Sequence, residues 1–421
     1  MSNQIDEMGE ELRQLLVQKA EAASAWGLDV PLVVRRARRR LARNAVVCAV
    51  ALALLGYGAV SAANSLYLAP KPGGSPPPPS KRVVATIPID GNPTGIAVGE
   101  GSVWVVHARR TFPSPEKGQV AQEPVPGELS RIDPATNQVT QKIEVGGDPM
   151  DVITAFGAAW VIDRGEPRIV RVDPESGSLT PIPLPTPIEA AAAADGSIWA
   201  SGFDDERVFR IDPATGQVLS AVAVGSKDYK YIVPVDGQLY GGIAESHRLV
   251  RIDPSTNQVV ASVEILSNGA ESVAPLAAAD GAMWGATCVP EPSPPPPPDV
   301  KAAPPCMWEV DRIDPATGDT VATITVGREE PEYPPAVGHT STSLASIAAG
   351  DGSIWVTAGD VTTEEDGSNL ARGRLLQIDP ATNKVVSSTD TTAGFALAVG
   401  EGGIWAIDSQ PNAGVVVRIE E

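Results

Sequence analysis

The fold class the sequence predicts is all-β, a ring of seven repeated units with four strands each, and three observations predict it. The first is the stretch Arg131-Ile132-Asp133-Pro134-Ala135-Thr136-Asn137-Gln138-Val139, which returns with small changes to the end of the chain. Its Asp sits at 133, 173, 212, 253, 314 and 379, and the chain stops at a seventh copy, Arg418-Ile419-Glu420. The second is a Gly, two residues and an aromatic, which gives Trp104, Trp160, Trp199, Tyr240, Trp284, Trp355 and Trp405, one per unit. The third is the match between the two ends of the repeat region. Markers that recur every ~40 residues set the architecture before any single residue is read.

Each unit reads as strands only. In the first, Gly95-Ile96-Ala97-Val98, Ser102 to Val106, Leu129 to Ile132 and Val139 to Val145 are short β-branched runs bounded by Gly, Asn, Asp and Pro. Asp133-Pro134-Ala135-Thr136-Asn137 reads as a hairpin turn. The Asp side chain bonds the backbone ahead, Pro presets φ, and Asn or Gly at the last position accepts positive φ. Four strands in ~40 residues is the period of a β-propeller blade. At the ends, Arg82-Val83-Val84-Ala85-Thr86-Ile87-Pro88-Ile89 matches the fourth strand of a unit and Gly414-Val415-Val416-Val417-Arg418-Ile419 a third strand. The N-terminal strand is therefore expected to close the last blade and remove the open edges.

Ahead of the ring the chain changes character. Residues 1–81 hold 10 basic and 6 acidic side chains, a net of +4, which leaves −24 for the rest against −20 overall. So acidic a body argues against nucleic acid as a partner. In residues 1–44, Ile5, Met8, Leu12, Leu15 and Leu16 fall on one helical face, and Arg35, Arg36, Arg38, Arg39, Arg40 and Arg43 follow as a basic run. Residues 1–34 are expected to form a helix that lies near the membrane or pairs loosely with a second copy, the alternative being a docking helix for a cytoplasmic partner.

Ala45 to Ala63 holds no charge and Leu66-Tyr67-Leu68 extends the apolar stretch, so 45–68 is expected to be a transmembrane helix. The arginines on its N-terminal flank put the N-terminus inside and the ring outside. A cleaved leader, with Ser61-Ala62-Ala63 as the site, is the competing reading, and the long preceding stub argues for an uncleaved anchor. Residues 69–81, with prolines at 77–80, form an extended Pro-rich linker to the propeller at 82–421.

Cys48 lies in the expected span. Cys288 and Cys306 bracket a Pro-rich insertion, Cys288 closing the second strand of the fifth unit and Cys306 preceding the third. A disulfide between them would clip that insertion, as suits a location outside the cytoplasm. Closing such a loop is worth ~3 kcal/mol in the chain-entropy model.

Propellers bind ligands at the mouth of the central channel, where each first strand begins. Aligned on the aromatic marker, the position of Thr94 is filled by Met150, Glu189, Lys230, Ala274, Ala345 and Phe395. The next position, that of Gly95, is filled by Asp151, Ala190, Tyr231, Pro275, Ser346 and Ala396. Met150, Asp151, Glu189, Lys230, Tyr231 and Phe395 are the candidate ligand contacts, the alternative being a wet channel without dedicated chemistry. A solvated Glu189 beside Lys230 is expected to be a poor base and an adequate contact. The repeated turn aspartates belong to the fold, no His, Cys and Asp cluster has metal-ligand spacing, and no nucleophile elbow or phosphate loop is present. No catalytic residue, metal or cofactor is expected.

The Gly-x-x-Trp strand followed by Arg-Ile-Asp-Pro-Ala-Thr-Asn-x-Val resembles the 40-residue repeats of YVTN propellers and the related virginiamycin B (streptogramin) lyases over residues 82–421. The resemblance implies the fold. For the lyases it also implies lactone opening by a His base and an acidic partner with Mg²⁺ at the mouth. His107, His247 and His339 all fall off the mouth ring, so that base carries over to no residue. The stub, arginine run and span resemble the front ends of bacterial single-span regulators, including anti-sigma proteins, without the His or Cys of a zinc-type module. The expectation is a bacterial, single-pass, membrane-anchored, extracytoplasmic propeller that binds a small-molecule, peptide or protein ligand, or scaffolds. A streptogramin lyase-like lactone-opening enzyme and a signalling protein with a propeller sensor are the alternatives.

Overall fold

The computed structural model describes residues 82–108, 126–227, 229–243, 248–264, 273–290, 306–328, 340–363, 369–391, 396–410 and 413–420. The stub, the arginine run, the 45–68 span, the 69–81 linker and Cys48 lie outside the described residues. Among those described, no helix is long and apolar enough to cross a membrane. They form strands in seven four-stranded antiparallel sheets, each a blade. The inner strands run Asn92–Gly99, Pro149–Ala155, Ile188–Ala194, Tyr229–Val235, Val273–Ala279, Thr340–Gly350 and Ala396–Gly400, and those of successive blades adjoin each other around the channel.

Blades 1 to 6 each take four consecutive strands, and blade 7 does not. Its outer strand is the first of the chain, Val83–Ile89, paired antiparallel with the last, Ala413–Ile419, so that Thr86 faces Val417 and Ile89 faces Gly414. Ile87 and Ile89 are buried and pack in one apolar cluster with Val103, Val105, Trp405 and Val416, between blades 7 and 1. The closure read from the two ends is what the sheet contains.

The two sequence markers are cross-strand partners. In blades 1, 3, 5 and 7, Trp104 faces Arg131, Trp199 faces Arg210, Trp284 faces Arg312 and Trp405 faces Arg418. Each guanidinium lies over its indole, from 5.5 Å for Arg131 to 5.1 Å for Arg418. The rings are fully buried, and the indole N–H of Trp104, Trp160, Trp199, Trp355 and Trp405 donates to a carbonyl five residues back, at the turn the Gly begins. An amphipathic ring needs such a partner for its one polar atom.

The same arginines join blade to blade. Arg131 donates to the Pro174 carbonyl, Arg210 to Pro254, Arg312 to Pro380 and Arg418 to Pro134, in each case the Asp-Pro turn of the next blade. Asn257, Asn383 and Asn137 add side-chain acceptors to the last three. Arg418 thereby bridges 284 residues of sequence and fastens blade 7 to blade 1. Blade 6 carries Gln377 where the others carry Arg, and it bonds Ser353 in its own blade. Blade 7 has no Asp-Pro turn to receive an Arg, because its third and outer strands come from opposite ends of the chain.

The turns follow the expected chemistry. Asp133, Asp212, Asp314 and Asp379 each accept the amide two residues on at 2.8 Å. Asn137, Gly177, Gly216, Asn257, Gly318 and Asn383 close the turns at positive φ. On the same face, the hairpins from inner to second strand have two positive-φ residues each, a type I′ pattern. The connections longer than these turns join strand ends on the opposite face, where the inner strands begin.

Candidate functional site

The starts of the inner strands of blades 1 to 6 share an irregularity that places the mouth residues. In blade 1, Pro93 faces His107 and Gly95 faces Val106, so Thr94 is skipped. The same slip skips Met150, Glu189, Lys230 and Ala345, and in blade 5 it spans Ala274 and Pro275. A bulge inserts an extra residue and re-aims its side chain out of the strict alternation of a strand. The aligned mouth positions of blades 1 to 6 are thus bulge positions, where two successive residues stand at the start of the inner strand. Phe395 of blade 7 lies outside the described residues, and of Lys230 the strand but not the side chain is described.

Blades 2 to 4 gather the polar groups. Glu189 was expected to be solvated beside Lys230. Instead its side chain is largely covered, at 11% exposure, and its carboxylate accepts from the Arg164 guanidinium at 2.7 Å. The partner comes from the connection between the second and third strands of blade 2, a segment that varies from unit to unit. Arg164 also lies over the ring of Phe203, 5.1 Å away, in the equivalent connection of blade 3. Phe203 is itself 40% exposed. Tyr231, on the inner strand of blade 4, has its hydroxyl pKa raised first by burial and then by the charge of Glu189. An ion pair, an exposed ring and a phenol from three successive blades therefore meet at one sector of the entrance.

Asp151 stands apart. Its side chain is exposed, yet desolvation by the protein around it pushes its carboxyl up to about 6, against the opposing bond from the Val152 amide. Among the described residues its one bond is from the Val152 amide at 2.8 Å. Room for the carboxylate comes from Gly95 on the next inner strand, where a Cβ would sit 2.5 Å from Asp151 Oδ1. Met150 next to it is half-buried. Thr94 ties the two blades by donating to the Pro149 carbonyl at 3.1 Å.

The loop carrying Arg164 is anchored by Asp163, which is 1% exposed. Its carboxylate accepts from the amides of Asp148 and Gly165 at 2.9 Å and from Arg168 at 3.3 Å. Arg164 and Phe203 escape an alignment of repeats because they lie between its strands, and Asp163 because it ends one. Their one sequence signal is that an Asp-Arg-Gly and a Phe-Asp-Asp sit at equivalent connections.

His107 is fully buried on the second strand of blade 1, with Nε2 3.1 Å from Ser130 Oγ and 3.8 Å from Glu128. His247 and His339 lie outside the described residues. The strands flanking the Pro-rich insertion are longer than expected, Ala282–Pro290 and Cys306–Ile313, because pairing continues up to the insertion itself. Cys288 faces Trp308 and Cys306 faces Pro290, so the two cysteines are diagonal neighbours across the pair. Among the described residues no group of three or more His, Cys, Asp or Glu could hold a metal ion.

No family model matches the chain, and no curated protein matches it. Solved structures do. Hydrazine synthase of Kuenenia stuttgartiensis aligns at a TM-score of 0.52 and 11% identity, covering 78% of this chain and 95% of that one. The WD40 β-propeller domain of Doa1 aligns at 0.52 and 13% identity, covering 80% and 96%. At that identity the likeness speaks for the fold alone, and with seven closed four-stranded sheets it makes residues 82–420 a seven-bladed β-propeller.

Proposed function

We propose that this chain is a membrane-anchored, extracytoplasmic β-propeller that works as a binding module, with its ligand site at the channel mouth in the sector of blades 2 to 4. One observation carries the reading. Glu189 and Tyr231, on slipped strand starts of neighbouring blades, are joined there by Arg164, paired at 2.7 Å with Glu189. Compact sites of this kind combine a few convergent polar groups with an aromatic wall. Met150, Asp151, Lys230 and Phe395 complete the ring of contacts by their place in the repeat. The anchor is residues 45–68, read from their length without charge and the arginine flank. A Cys288–Cys306 disulfide fits the same compartment, and its support is the diagonal register of the two residues and the disulfide-bonded state of Cys288.

Two experiments test the proposal. A reporter active only in the cytoplasm should work when fused before Met1 and fail when fused after Glu421, and the reverse pattern would overturn the topology. The purified full chain should leave a streptogramin-type lactone intact with or without Mg²⁺. Opening of the ring that disappears in Glu189→Gln would replace the binding module with an enzyme.

A further inference from the structure

Within the proposed mouth the charges are unequally used. Arg164 is committed twice, to Glu189 at 2.7 Å and to the face of Phe203, so its charge is already answered inside the protein. Asp151 is not answered. Among the described residues no cation pairs with it, and its carboxylate rests on its own strand's Val152 amide in the niche that Gly95 leaves open. Its side chain is exposed. Residues beyond 81 sum to −24, so the body as a whole draws cations toward it.

We propose that the mouth takes an organic cation, an ammonium or guanidinium group seated against the Asp151 carboxylate, with Tyr231 on the same row of the channel as its aromatic wall. The inference rests on the mouth being the ligand site. An inorganic divalent ion is a poor fit, because it needs several oxygen ligands and the described residues supply one free carboxylate here. An organic cation needs one counter-charge and gains from a nearby ring face. Among the described side chains of this sector, an anion would meet an uncompensated carboxylate and an arginine already paired.

The test uses the full chain in detergent and three probes of one shape, phenethylammonium, 2-phenylethanol and 3-phenylpropionate, titrated calorimetrically. The cation should bind at least about tenfold more tightly than the other two, the worth of one charge-assisted hydrogen bond. Asp151→Asn should remove that preference, bringing the cation down to the affinity the same variant has for the alcohol, with the melting temperature showing whether the variant is folded. Equal binding of the three probes, cation affinity indifferent to Asp151→Asn, or no binding of the cation at millimolar concentration would each overturn the inference. Should the alcohol or the carboxylate bind best and lose affinity in Arg164→Ala or Tyr231→Ala, the mouth stands as the site and only its cation preference falls. The wild-type preference decides the matter even if the Asn variant does not fold.

Discussion

At the scale of single residues, the repeated motif is a set of fasteners. Arg418 shows it best, because its donors reach the Pro134 carbonyl and the Asn137 side chain while its plane covers Trp405. Truncating it removes charge-assisted bonds and leaves partly buried acceptors, so Arg418→Ala should cost about 2–3 kcal/mol of unfolding free energy. Gln377→Arg, at the unit whose next blade has no turn to receive it, should be within about 0.5 kcal/mol of neutral by the same measurement in urea. The turn aspartates make a pH prediction. Asp133, Asp173 and Asp212 are held below the ordinary carboxylate value chiefly by the amides of Ala135, Ser176 and Thr215, and Asp253 and Asp379 chiefly by the hydroxyls of Ser255 and Thr382. A depressed folded pKa contributes stability above the unfolded value of about 3.9, and that stability is lost as pH falls through the folded one. Melting temperature should therefore decline below about pH 4, and less steeply in the Asp212→Asn, Asp253→Asn double variant.

At the scale of elements, what sequence could and could not reveal divides along the repeat. Strands, turns and the aromatic markers were legible because side-chain chemistry sets them locally: β-branched runs, Asp-Pro presetting a turn, and Asn or Gly at positive φ. The slip at the start of the inner strands of blades 1 to 6 was not, since it is a relation between two strands that no residue type announces. The consequence is visible at Glu189, whose mouth position was legible and whose partner, Arg164, was not. Gly95 is a second case. Read as one member of a mixed ring, it proves to be the space that Asp151 occupies, with an added Cβ 2.7 Å from the Asp151 Cα. Gly95→Ala should therefore force a backbone shift and cost about 1–3 kcal/mol by thermal unfolding, as overpacking does. The outer strand of blade 7 is the other element to test. Deleting residues 82–90 uncovers the Ala413–Ile419 edge and takes away Ile87 and Ile89, each worth about 1.5–3 kcal/mol on burial. The deletion should aggregate or melt far below the wild type, and an unchanged melting temperature would contradict the closure.

At the scale of the molecule, the propeller has two unlike faces. One is built of short turns, latched blade to blade by the repeat's own arginines. The other carries the longer connections, the slipped strand starts and the sector where Glu189, Arg164, Phe203 and Tyr231 meet. That division explains why the repeat motif announces the fold so plainly and the proposed ligand site so faintly, since the motif belongs to the fastening face and the channel mouth to the variable one. The central claim is that the mouth at blades 2 to 4 holds a ligand outside the cytoplasm. Its most direct test is photo-crosslinking in living cells, with p-benzoylphenylalanine placed at Tyr231 and, as a control, at Leu219 on the exposed outer strand of blade 3. A discrete mass added at 231 and absent at 219 is the expected result; no adduct at 231, or the same adducts at both positions, would contradict it.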